Sequence, residues 1–263
     1  LRLLAFVLAL ITAGGAQAQT VIFKDPSGDD RGPGRYSYPT DPVYVPGAFD
    51  LTELRVEVKG DWVEVSVEVA ATLSNPWDLP FGWSLQFPVV LLGAKEIMDQ
   101  RDLPGMNATF GFPGWDRAVL ISPLPPAQVG RHVSEFRGLD RDVVISPTRA
   151  RVEGRRIIAT VRRSELPAGD PAFWGYQVIM MKHDAFPTPG YLLTRGVNES
   201  AGFHVFGGGD DGHCDPSIID MLAGEGHGEA EEIEAQYQVL SDYECDASGE
   251  PLQFANIPMV FLR

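Results

Sequence analysis

The sequence predicts an all-β fold: an antiparallel β-sandwich with one or two short helices near the C-terminus. Three observations carry that prediction. Runs of alternating apolar and polar residues recur along the chain. Turns between them draw on 28 glycines and 21 prolines. Helical periodicity appears only late in the sequence. Successive side chains of a strand point to opposite faces, so alternation marks a sheet with one buried side. Many short strands, Gly/Pro-rich loops and little helix add up to a sandwich.

The elements follow in order. "LTELRVEVKGDWVEVSVEVA" alternates on both sides of Lys59-Gly60-Asp61. Leu54, Val56 and Val58 share a face of one arm, and Val63, Val65, Val67 and Val69 share a face of the other, so this is a hairpin. "WSLQFPVVLL" reads as a third strand with Trp83, Leu85 and Phe87 in phase. "VVISPTRARVEGRRIIATVRR" gives a second hairpin turning near Glu153-Gly154, with Ile157, Ala159 and Val161 inward. "WGYQVIMMK" is apolar on both faces and is expected to be a central strand. "NIPMVFL" closes the chain. Asp215-Pro216 would cap a helix over "SIIDMLAG", and "EAEEIEAQYQVL" reads as a second helix.

Residues 1–18 have the form of a cleaved secretory signal: Arg2, an apolar run from Leu3 to Ile11, and Ala16-Gln17-Ala18. Leu1 fits a bacterial alternative start codon or a trimmed methionine. Residues 19–263 then form one exported domain, since no linker or internal repeat divides them. Its expected location is secreted, periplasmic or at the cell surface. No later apolar run is long enough to cross a bilayer. The chain carries 21 Lys+Arg against 36 Asp+Glu, a net charge of −15. That balance repels phosphate backbones and argues against nucleic acid; it suits calcium and neutral ligands. In an exported protein the two cysteines, Cys214 and Cys245, favour one disulfide. The chain-entropy model values such a loop closure at about 3–4 kcal/mol.

No catalytic motif is present: the chain lacks GxSxG, HExxH and a P-loop, and "GGGDDG" lacks the GK[ST] of a phosphate cradle. The protein is therefore expected not to be an enzyme. The acidic loops are more informative. "DPSGDDRGPGRYSYPTDPVYVPGAFDL" gathers Asp25, Asp29, Asp30 and Asp50 among glycines and prolines. Calcium takes six to eight oxygens, and glycines let carbonyls turn toward it. The same residues also make ordinary Asx-turns. "GGGDDGHCDP" offers a possible second metal loop with Asp210, Asp211 and Asp215. Three tryptophans lie in polar loops: Trp77, Trp115 (beside Asp116 and Arg117) and Trp174. Flat aromatic rings stack on the C–H faces of sugars while acids and arginine hold the hydroxyls. Tryptophan is also a common core residue.

The blocks "DPSGDDRGPGRYSYPTDPVYVPGAFDL", "NPWDLPFGWSLQ", "GWDRAV", "WGYQV" and "FGGGDDGHCDPSIIDML" run in the order found in one family. Over residues 21–263 the chain resembles the C-terminal module of glucodextranase and related modules at the ends of amylopullulanase-type enzymes. The resemblance implies a DOMON-like, carbohydrate-binding-module-like β-sandwich. It implies a non-catalytic module that binds carbohydrate, α-glucan or envelope glycan, or holds an enzyme at the cell surface, with structural calcium. Because DOMON-like sandwiches also bind b-haem, an electron-transfer subunit is the alternative. Met180, Met181, Lys182 and His183 are its candidate axial ligands, with Met98 or Met106 opposite.

Overall fold

A computed structural model describes residues 19–94, 102–111, 114–136, 139–187, 189–210 and 214–262. The signal segment and Met98 lie outside the described residues. The first layer is a five-stranded antiparallel sheet. It contains β1 (Thr20–Lys24), β2 (Leu51–Lys59), β3 (Trp62–Val69), β9 (Arg156–Arg162) and β8 (Arg149–Glu153), in the order β1-β2-β3-β9-β8. The two hairpins are those expected. Val56 faces Val65, and Val67 faces Ile157, across the ladders. Val63, Val65, Val67, Val69, Ile157, Ala159 and Val161 are all fully buried.

The second sheet contains β11 (Asp220–Met221), β10 (Gly175–Lys182), β4 (Gln86–Gly93), β6 (Arg117–Leu120) and β7 (Val144–Ile145). β15 (Val260–Phe261) pairs with the opposite end of β10. β4 and β10 are buried at every position, as the apolar residues on both faces of β10 predicted. Their two faces serve two cores. Val90, Leu92, Tyr176, Val178 and Met180 pack toward the first sheet. Phe87, Val89, Leu91, Ile179 and Met181 pack outward. That outer core is covered by α1 (Pro126–Glu135), α2 (Glu231–Ser241) and the parallel pair β5 (Ala108–Phe110) with β14 (Ala255–Ile257). β12 (Glu244–Cys245) and β13 (Pro251–Gln253) form a small ribbon. Cys214 and Cys245 are bonded, with Cα atoms 6.0 Å apart. Among the described residues no helix is long and apolar enough to cross a membrane.

Three local readings differ. The "SIIDMLAG" segment is not a helix. Ile219 N donates to Met180 O and Leu222 N to Val178 O, so it joins the sheet as β11. Its residues are buried on both sides, which a surface helix would not allow. α1 went unpredicted because Gly130 interrupts its periodicity; Val129 and Val133 bury its inner stripe. The strand near Trp83 starts only at Gln86, so Trp83 and Leu85 pack in the inner core while Phe87 faces the outer one.

The candidate haem ligands divide along the same line. Met180 points into the inner core, whereas Met181 and Met106 point into the outer one. Strand alternation sends neighbours to opposite sides, so Met180 and Met181 face different cores.

Candidate functional sites: a buried carboxylate cluster and an aromatic cleft

Asp25 directly follows β1, Asp50 directly precedes β2, and Asp220 opens β11. The loop after β1 is folded back by Gly28, at φ 102°, whose N–H donates to Asp50 Oδ2 at 2.8 Å. Gly32 N donates to Ile219 O at 2.8 Å, tying the same loop to the second sheet. These turns bring Asp25, Asp29 and Asp220 together, with one carboxylate oxygen of each within 4.8 Å of the others. Asp50 lies close enough to act electrostatically on all three.

The hydrogen bonding of these acids is uneven. Asp220 accepts from Leu51 N at 2.6 Å and Met221 N at 2.8 Å. Gln236 of α2 buttresses the cluster by donating to Asp29 O at 2.6 Å and accepting from Met221 N at 2.9 Å. Glu232 accepts three backbone N–H groups of the 225–228 turn. In contrast, both oxygens of Asp25, both of Asp29 and one of Asp50 are buried without a partner. Burial, reinforced by acidic neighbours, pushes Asp25 and Asp220 well above the usual carboxylate range. The same causes raise Asp29 and Asp50 to about 7. An unpaired buried charge is costly, so the cluster must hold protons or a cation. Clustered hard oxygens suit calcium.

Of the four acids expected to form a metal loop, Asp25, Asp29 and Asp50 converge. Asp30 does not: its carboxylate accepts from the Tyr38 hydroxyl, and Tyr38 in turn accepts from Phe49 N. Asp220 takes its place, and sequence reasoning missed it. The available signal was an acid inside "IIDML", where a lone carboxylate in an apolar run is destined for burial. Two of the three acids of the possible second loop, Asp210 and Asp215, lie among the described residues. Asp210 pairs with Arg35 at 3.3 Å and with the Tyr243 hydroxyl. Asp215 is buried beside Tyr36, with its oxygen 3.4 Å from that hydroxyl. Asp211 lies outside the described residues.

The tryptophans separate just as clearly. Trp115 and Trp174 are 0% and 1% exposed and belong to the cores, so neither offers a stacking face. Trp174 Nε1 donates to Ala168 O, and Arg163 lies over its ring. Asp116 is buried and accepts from Ala94 N, and Arg117 donates to Glu165 O and Asp116 O. Trp77 alone of the three is accessible, at 44%. Its loop is held by Asn75, which bonds Leu79 N and Leu79 O, each at 2.9 Å.

Trp77 stands at a cleft of about 360 Å³. Its ring centroid lies 6.3 Å from Tyr44 and 5.8 Å from His204, making an aromatic wall. Phe186, strongly exposed, forms part of the rim. The polar side is Lys182, Asp184 and Arg195, with Arg195 Nε 2.7 Å from Asp184 Oδ2. Lys182 Nζ donates to His183 O, and burial lowers its ammonium to about 8. Burial likewise holds His183 neutral, down to about 3.

A family model for the C-terminal, SLH-like binding module of glucodextranase matches residues 21–254. No curated protein matches the chain.

Proposed function

Because the chain belongs to the family of SLH-like C-terminal binding modules of glucodextranase, we propose that it is an exported, non-catalytic module that binds α-glucan or envelope glycan and is braced by calcium. Its place of work is the secreted, periplasmic or cell-surface space. The Trp77 cleft carries the glycan reading. It combines a half-exposed indole, a wall of further rings, and an Asp–Arg pair that can accept from and donate to sugar hydroxyls. Stacking one ring face buries apolar surface at about 25 cal/mol per Å². After the cost of association this gives affinities of about micromolar to millimolar.

The calcium reading rests on the orphaned oxygens of Asp25, Asp29 and Asp50 beside Asp220. These residues would hold the ion. It would neutralise the cluster and join the loop after β1, the start of β2 and β11, which belong to two different sheets.

Retention on insoluble α-glucan and on isolated cell-envelope polymer tests the binding function. The native protein should be retarded on one of them. Trp77→Ala should lose that retention with an unchanged melting curve, while Phe173→Ala, at an exposed ring away from the cleft, should keep it. Equal retention of native and Trp77→Ala protein would sink the cleft as the site.

A further inference from the structure

The outer face of the five-stranded sheet reverses the charge of the molecule. On half of this face every basic group has an acid partner. Glu53 is met by Lys24, Arg55 and Arg156, and Glu68 by Arg155 and Arg156. The other half is not fully paired. Lys59 is paired with Glu57 and Glu64, and Arg151 with Glu64 and Glu153. Two guanidinium groups, Arg149 and Arg162, are then left without an ion pair among the described residues, in a chain of net charge −15. Both are exposed. Arg162 lies over the Trp62 ring, 4.9 Å from its centroid. A trough of about 460 Å³ is lined by Lys59, Trp62, Glu64, Arg149, Arg151 and Thr160, and Arg162 adjoins it through the Trp62 ring.

We propose that this trough is a second ligand surface, and that its ligand is an acidic polysaccharide: a chain of sugar rings bearing carboxylates. Arg149 stands opposite Thr160, and Thr160 and Arg162 are two residues apart on one strand face. That spacing is about 7 Å along the strand and about 5 Å across it. Two spare cations at this separation, with Thr160 beside both, match a repeating unit that alternates charge with hydroxyl groups. A guanidinium stacked on indole is held in one orientation and presents its planar fork to a carboxylate. Nucleic acid is a poorer match, since its dense phosphate charge would face the acidic remainder of the protein. This surface shares no residue with the Trp77 cleft, so the two sites stand or fall separately.

The test is binding of the full chain to immobilised polygalacturonate, to neutral α-glucan and to poly-glutamate. It is run at low ionic strength and again at about 0.5 M salt, where exposed charges are screened within about 4 Å. The native protein should be retained on polygalacturonate at low salt and released at high salt. Arg149→Ala/Arg162→Ala should weaken that retention about tenfold or more, and Arg149→Glu should abolish it, with melting curves confirming the fold. Trp77→Ala should leave it unchanged while losing neutral glucan. No retention on polygalacturonate, or equal retention of the double variant, would overturn the proposal. So would equally tight binding to poly-glutamate, which would make the trough a generic polyanion surface.

Discussion

Asp50 and Glu53 lie three residues apart and are equally buried, each 4% exposed, yet they are driven in opposite directions. Glu53 is held down to about 2. Burial pushes it up, but hydrogen bonds and charge from Lys24, Arg156 and Arg55 outweigh that. Asp50 is raised to about 7 by burial and by Asp30, with only the Gly28 N–H acting against it. Glu53 faces the outer side of the sheet, where long basic side chains reach across from neighbouring strands. Asp50 ends at the junction of the two sheets, where its neighbours are other acids. Burial therefore does not fix the ionisation of a carboxylate; its counter-charge does. Glu53 has that counter-charge within the protein, and Asp50 must take it from solution as protons or metal.

The sharpest way to break this comparison is to create a carboxylate with neither kind of compensation. Val65 is fully buried at the centre of β3. Val65→Asp should cost about 4 kcal/mol or more, enough to lower the melting temperature by about 10 °C or to prevent folding. A denaturant melt matching the native protein would mean that water or cations reach the inner core.

Removing calcium comes next in size. A ligand present at about 100–1,000 times its dissociation constant stabilises by about 3–4 kcal/mol, so chelator should lower the melting temperature by about 10 °C and added calcium restore it. The pH dependence gives the sign. Asp29 and Asp50 rise in the fold from 3.8 to about 7. In chelator their contribution is therefore fully present below about pH 4 and is lost as pH rises through about 7. The chelated protein should melt lower at pH 8 than at pH 5. With calcium the trend should invert, because protons compete with the metal. Identical pH profiles with and without calcium would remove metal from the account.

Asp220→Asn sharpens the same point with a smaller effect. It keeps the shape and removes one charge from the cluster. In chelator at pH 8 the variant should be about 1–2 kcal/mol more stable than native, because an uncompensated charge is gone. In calcium it should be less stable, because a ligand is gone. A crossover between the two conditions is the expected result. A uniform loss would make Asp220 merely a hydrogen-bonding residue for Leu51 and Met221.

Glu53→Gln should cost about 1–2 kcal/mol at pH 7, toward the low end for hydrogen bonds to a charged group because Lys24 and Arg55 are exposed. A depressed carboxylate contributes above its unfolded value near 4.5, and the contribution is lost as pH falls through about 2. The difference between native and Glu53→Gln should therefore persist from pH 8 to about 5, shrink below that, and be indifferent to calcium.

Much of this arrangement was legible in the sequence. Alternation gave both hairpins of the first sheet and the inward valines, since a period of two is written into neighbouring residues. Apolar residues on both faces of 174–181 marked β10 as buried on both sides, and two cysteines behind a signal-like segment marked the bond. Asp25, Asp29 and Asp50 were visible as acids in a glycine-punctuated loop. The tryptophans were not separable. "NPWDLPFGW", "FPGWDR" and "PAFWGY" are alike as local strings, but only Trp77 stays exposed, because other segments cover Trp115 and Trp174.

By itself the sequence determined the strand faces, the sandwich class, the disulfide partners and all of the carboxylate cluster except Asp220. All of these follow from local spacing and residue chemistry. Tertiary structure decided the rest. It carried Asp220 to a point where it accepts from Leu51 N, 169 residues away. It turned Asp30 aside to Tyr38, left Trp77 beside Tyr44 and His204, and set Arg149 and Arg162 without acids on an otherwise paired face. The physical reason is that a side chain's charge, exposure and ligand capacity depend on which distant segments close around it, and the folding of both sheets fixes that choice.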